Sequence, residues 1–161
     1  MQVIATEGAK YGLYLNNSKL EMMQIHCNAP IYDGEGKAIK IKESIKYLGA
    51  ILHRTGRVDS EISSKLGMAK QEFRALSQIW SHANITKRRK LELYRSLVIS
   101  KLLYGLQTVW LSKGLRQRID AFHCSCIRRI LGIAHSYISR VTNADVLRQG
   151  NAMPLSKILL Q

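Results

Sequence analysis

The amino-acid sequence predicts an α+β fold, mainly α, in which a small antiparallel β region precedes a helical bundle. Two observations predict it. Before Gly56, short apolar alternations are punctuated by turn residues such as Asp33-Gly34; after it, apolar residues recur at steps of three and four over long stretches. The organisation expected is a β region in residues 1–56 and a helical region in residues 57–161. At 161 residues, 46% hydrophobic and 22% charged, the chain has the size and composition of one globular domain, or of one domain with a small appendage. With two prolines and eleven glycines it shows no low-complexity linker.

Met1 to Tyr11 has weak helical character, and Gly12 is placed to end it in a left-handed conformation. Leu13 to Ser18, with Asn16-Asn17, reads as a turn-rich connection. Leu20 to Cys27 alternates loosely and predicts a strand. Asp33-Gly34 predicts a hairpin turn, and Ile39 and Ile41 against Lys40 and Lys42 predict a second, half-buried strand. Ile45 to Leu52 predicts a third, with Gly49 inside it as a bulge or a close backbone approach. Past Gly56, Asp59 is the expected N-cap of a helix whose stripe is Ile62, Leu66, Ala69, Phe73, Leu76 and Trp80. Thr86 is the expected cap of a second, with Leu91, Tyr94, Val98, Leu102 and Gly105 on one face. A third carries Leu115, Ile119, Phe122, Cys126, Ile130 and Ile133 and ends near Gly132. Thr142 or Asn143 caps a short helix through Arg148, and Pro154 opens another. Stripes of this kind bury against one another, which is what makes a bundle.

Charge is the unusual property. The formal net charge is +14, and residues 84–161 hold 14 Lys and Arg against 3 Asp and Glu. A half so basic predicts a polyanion as partner. Three cysteines, Cys27, Cys124 and Cys126, and no basic-then-apolar leader predict a reducing, intracellular setting, nuclear or cytoplasmic. No apolar run approaches the ~20 residues of a membrane span, so no membrane partner is expected.

Phosphoryl transfer with two metal ions needs closely placed carboxylates. None of the four aspartates, Asp33, Asp59, Asp120 and Asp145, adjoins another acid; Asp59 and Glu61 could be called a pair, but both suit the first turn of a helix. His123, Cys124 and Cys126 lack the spacing of a zinc site, so no metal is expected. The basic residues are more informative. Lys87, Arg88, Arg89 and Lys90 open one helix and Arg95 and Lys101 continue it; Arg116, Arg118, Arg128 and Arg129 lie on the next. Such residues neutralise backbone phosphates, positioning a nucleic acid while reading little of its sequence. The bland alternative is a solvated helix face. It is weakened by the scarcity of acids that would neutralise these charges within the helices. Trp80, Tyr94, Tyr104 and Trp110 suit packing between helices better than stacking on bases.

Several segments resemble one family in order along nearly the whole chain. Gly12-Leu13-Tyr14-Leu15-Asn16-Asn17-Ser18-Lys19 is similar to the motif D region of LINE-type (non-LTR) retrotransposon reverse transcriptases. Ile45-Lys46-Tyr47-Leu48-Gly49-Ala50-Ile51 resembles their motif E, the primer-grip strand. Arg57 to Ile62, Lys65 to Ala69, Leu91 to Trp110 and Cys126 to Ile133 resemble the helices of the thumb that follows; the Tyr-Leu-Gly and Arg-Arg-Ile-Leu-Gly-Ile segments are the most specific. The resemblance implies a palm edge in 1–56 and a thumb-like region in 57–161. It places Lys19 near an incoming nucleotide and Tyr47, Leu48 and Gly49 at the primer 3′ end. It implies that the catalytic aspartates, with the Mg2+ of the complete RNA-directed DNA polymerase, belong to a polymerase portion outside this chain. The expected partners are then an RNA–DNA hybrid and that portion, and the chain alone is expected not to polymerise. The alternative is a non-enzymatic basic helical module that binds nucleic acid or an acidic protein.

Overall fold

The computed structural model describes residues 2–107 and 109–160. The fold is α+β and mainly α, and the chain divides into two units, Met1–Val58 and Asp59–Gln161.

In the first unit, helix α1 spans Gln2–Ala9, and Gly12 takes φ +73° as the chain turns back, with Leu13 N–H donating to Gly8 O at 3.0 Å. Asn16 accepts from Ser18 N–H at 3.1 Å and so caps a single 3-10 turn at Asn17–Lys19. The strands expected at 20–27 and 39–42 do not form; the two segments share one isolated bridge, Met22 with Ile41, and a second bridge, Tyr32 with Ala38, lies in the chain between them. Met22 and Gln24 are buried but Ile25, Ile31 and Ile41 stay exposed, so little apolar surface is covered, and a lone pair of strands is marginal without a larger apolar layer. The turn between them is built by the Asp33 carboxylate, which accepts from Glu35 and Lys37 N–H, both at 2.9 Å, and Gly36 rather than Gly34 takes the left-handed conformation.

The strand expected over Ile45–Leu52 is instead a hairpin. Strands β1 (Ser44–Tyr47) and β2 (Ala50–His53) pair antiparallel, Tyr47 opposite Ala50 and Ser44 opposite His53. The connection is Leu48-Gly49, with φ +48° and +87°. Two consecutive positive φ values make a type I′ turn, whose twist matches that of the strands it joins. Gly49 is therefore the second turn residue and not a bulge.

The second unit holds most of the core. Helix α2 (Asp59–Ala75) buries Ile62, Leu66, Ala69 and Phe73. Its stripe continues to Trp80, but the helix breaks at Leu76 and Trp80 sits on a separate helix, α3 (Ser77–Ser81). The Trp80 indole N–H donates to Phe73 O at 2.7 Å and satisfies a carbonyl at the end of α2, while its ring stacks on Phe73 with centroids 5.1 Å apart. Helix α4 (Lys87–Tyr94) is capped by Thr86, passes into one π turn over Arg95–Ile99 and ends as α5 (Ser100–Leu103). Ser96 and Ser100 both bond back to carbonyls of the preceding turn there. Leu91, Tyr94, Val98 and Leu102 are buried along this stretch.

Helix α6 (Lys113–Leu131), capped by Ser112, packs against α2, α3, α4 and two later helices and is the centre of the unit. Gly132, at φ +73°, ends it. Ile133 N–H reaches Arg128 O at 2.9 Å and Gly132 N–H reaches Arg129 O at 3.3 Å, the paired bonds of a Schellman motif. A short α7 (Ser136–Ser139) follows, then α8 (Asn143–Gln149), where Thr142 accepts from Asp145 N–H, then α9 (Leu155–Ile158) behind Pro154. Asp120 of α6 holds the start of α9, accepting from Ser156 N–H at 2.9 Å and Ser156 Oγ at 2.6 Å. A Cβ at Gly150 would lie 2.9 Å from Ile127 Cγ2, so a side chain there would push α8 off α6.

Candidate nucleic-acid interface

The ten basic residues singled out from the sequence have different fates. Three are committed to the fold. Lys90 is buried and donates to Trp80 O at 2.8 Å. Arg95 donates to Gly150 O and Asn151 O at 3.0 and 2.6 Å and ties down the end of α8. Arg128, 8% exposed, donates to Ala134 O, Val141 O and Asn143 Oδ1 at 3.2, 2.6 and 3.1 Å. Three others pair with acids: Arg88 and Arg89 with Glu92, and Lys101 with Glu72. The Arg89 and Arg88 hydrogen bonds hold the Glu92 carboxyl below its ordinary range. Arg118 donates to Ser63 Oγ, and Arg116 lines a recess of about 300 Å3 with Trp110, Leu111 and Leu160. Lys87 and Arg129 are exposed.

What the structure brings together is a cleft of about 800 Å3 whose walls come from α2, the start of α3, α6 and the turn after α6. Lys70 and Arg74 of α2 face Arg128 and Arg129 of α6, with His135 beyond them, and no carboxylate lines the space. The floor is apolar, formed by Phe73, Phe122, Cys126 and Ile133. Sequence reasoning named Arg128 and Arg129 but missed Lys70, Arg74 and His135. Lys70 and Arg74 are four apart on α2, and that spacing was the available signal.

The chemistry of the lining is that of binding. Burial pushes the Cys126 thiol up to about 12 and raises Cys124 as well, so neither is a thiolate near neutrality. The carboxylates do not fit the Mg2+ that the family resemblance implies. Asp33 holds a turn, Asp120 caps α9, and Asp145 is engaged with Thr142 and Arg148. Glu61 pairs with buried Lys65 at 3.4 Å. Among the described residues no group of three or more His, Cys, Asp or Glu converges on a metal position. No helix of the described residues is long and apolar enough to cross a membrane.

In the first unit, Tyr47, Leu48 and Gly49 form the exposed tip of the β1–β2 hairpin. Leu48 is 76% exposed in a left-handed conformation that a leucine adopts only at a cost of roughly 1–2 kcal/mol. Lys19 is exposed at the end of the 3-10 turn. Trp80 and Tyr94 are buried as expected of core aromatics, whereas Tyr104 and Trp110 are not; Trp110 is 90% exposed. The chain matches no protein-family model, no curated protein and no solved structure.

Proposed function

We propose that the helical unit binds nucleic acid through backbone phosphates, as the thumb-like part of a non-LTR retrotransposon reverse transcriptase whose palm edge is formed by residues 1–56. The observation that carries the reading is the cleft between α2 and α6, with Lys70, Arg74, Arg128, Arg129 and His135 around it and no acid among them. Cations grouped without carboxylates repel one another in the free protein and are relieved by a polyanion, with release of the polyanion's own counterions. The hairpin tip at Tyr47-Leu48-Gly49 supports the same reading, because a strained, exposed turn is where a chain presents backbone to a ligand. Under this proposal the chain binds template–primer and contributes no catalytic carboxylate.

The test is fluorescence anisotropy of the whole chain with an RNA–DNA hybrid, a DNA duplex and an acidic peptide across a salt series. The hybrid's affinity should fall log-linearly with salt, by roughly 0.9 log units per decade for each phosphate neutralised. An affinity indifferent to salt, or tighter binding of the acidic peptide than of either nucleic acid, rejects the reading in favour of a protein-interaction module.

A further inference from the structure

We infer that the cleft between α2 and α6 receives one unpaired nucleotide of a single strand adjoining the bound duplex, its phosphate on the cationic rim and its base against the apolar floor. The inference rests on the nucleic-acid reading above and narrows it to a ligand class for one site.

Three features of the cleft lead there. Arg128 is a buried guanidinium whose three acceptors are all neutral: two backbone carbonyls and one amide oxygen. Those bonds use three of its five N–H donors, and among the described residues no carboxylate pairs with its charge. A charge taken out of water without a counter-ion is costly, and an anion in the space it lines would supply one. Lys70, Arg74 and Arg129 add exposed cations to the same rim. An anion site is thus built on one buried arginine with an exposed lysine and two exposed arginines beside it.

The floor then selects among phosphate-bearing ligands. Phe122, Phe73, Cys126 and Ile133 offer apolar surface below the cations. Inorganic phosphate gains nothing from it. A continuous duplex gains nothing either, because its bases stay in the stack and only sugar and phosphate reach a concave surface. A nucleotide freed from pairing has a phosphate and an apolar face, and a space of about 800 Å3 lies in the range that encloses small-molecule ligands. His135 lines the cleft, and just outside it the exposed Tyr137 ring lies 5.2 Å from the His135 ring; aromatic surfaces of this kind stack on bases irrespective of sequence.

The test compares the full chain binding a blunt RNA–DNA hybrid and the same hybrid with a short single-stranded overhang. The overhang should tighten binding about tenfold. Ser125→Trp, at a position that lines the cleft, fills it without altering charge and should abolish that gain. Arg74→Gln with Arg129→Gln should weaken the overhang ligand more than the blunt one. As a readout independent of any variant's folding, 4-thiouridine in the overhang should photo-crosslink to the α6 segment containing Phe122 and Ser125. If the blunt hybrid binds but the overhang adds nothing, or the crosslinks map elsewhere, the inference falls and the broader reading stands. If a folded Ser125→Trp keeps the gain, or an acidic peptide displaces the overhang in preference to a competing oligonucleotide, the inference is likewise overturned. Failure of both hybrids to bind removes the inference and the broader reading together.

Discussion

His123 and Arg128 lie on the same helix and are buried with opposite consequences. The His123 ring stacks on Tyr94, whose hydroxyl is 2.9 Å from Nδ1, and burial pushes its pKa down to about 4. The folded state therefore holds a neutral imidazole, while the unfolded chain protonates near its ordinary value of 6.5. Between those two values the unfolded state binds the extra proton, so stability is complete above about pH 6.5 and declines as pH falls toward 4. The loss should total on the order of 3 kcal/mol. Urea midpoints should already fall between pH 6.5 and 5, above the range in which the lowered carboxyls of Glu92 and Asp145 titrate, and His123→Gln should flatten that slope. An unchanged slope in the variant would assign the effect elsewhere. Arg128 bridges the end of α6 to the segment before α8. Arg128→Ala strands three acceptors and should cost about 2–4 kcal/mol in urea denaturation, whereas Arg129→Ala, exposed one position on, should stay within about 0.5 kcal/mol. In the sequence these two arginines look alike. What separates them is that α6 is wrapped on several sides, so burial extends from His123 and Cys124 round to Arg128, beyond the single stripe that periodicity reveals.

At the scale of elements, legibility followed how local the cause of each element is. Helices α2, α4 and α6 were readable because a stripe at three- and four-residue spacing, a Thr86 cap and a terminal Gly132 are all written within the element. The break at Leu76 was not readable, because the stripe runs through it unchanged and only the Trp80 indole, bonding back to Phe73 O, shows that the helix has ended. The π turn at Arg95–Ile99 likewise leaves the apolar spacing almost intact. The β1–β2 hairpin was misread for a sharper reason. In Tyr47-Leu48-Gly49-Ala50-Ile51 only Gly49 interrupts the strand pattern, and the residue that must take φ +48° is a leucine, which carries no turn signal. That mismatch is testable. Leu48→Asn supplies the residue a type I′ turn prefers at its first position and should stabilise the hairpin by about 1 kcal/mol, seen as slower amide exchange in β1 and β2. If the exposed leucine serves a ligand at the tip, the same substitution should also weaken RNA–DNA binding. Slower exchange with unchanged affinity would leave Leu48 without a binding role.

On the scale of the whole molecule, the two units differ in how much apolar surface each buries within itself. Among the described residues of Met1–Val58 the buried ones are Met22 and Gln24, while Tyr11, Leu13, Tyr14, Ile25, Tyr47 and Leu48 are exposed. Ordering a backbone costs roughly 1–2 kcal/mol per residue, and so small an interior cannot offset that cost over the whole segment. In Asp59–Gln161, Ile62, Tyr94, Val98, Leu102, Leu106, Ile119, Ile127, Val146 and Leu155 are all essentially inaccessible, and the burial is contributed by α2, the stretch from α4 through α5 to Leu106, α6, α8 and α9 together. Stability should therefore be partitioned. In native-state hydrogen exchange on the full chain, amides of α2, α4 and α6 should open only with the global transition and share one denaturant dependence. Amides of β1 and β2 should exchange through local openings that denaturant scarcely affects. Limited trypsin treatment should cut at Lys37, Arg54 or Arg57 before any site in α6. A bound RNA–DNA hybrid should raise protection at Tyr47–Ala50 if the hairpin tip meets the nucleic acid, and along α2 and α6 if the cleft does, so one exchange map with and without ligand reads the two contacts separately. Equal protection of hairpin and helices in the free chain would contradict the partition, because it would require the first unit to be stabilised by more apolar burial than its own residues provide.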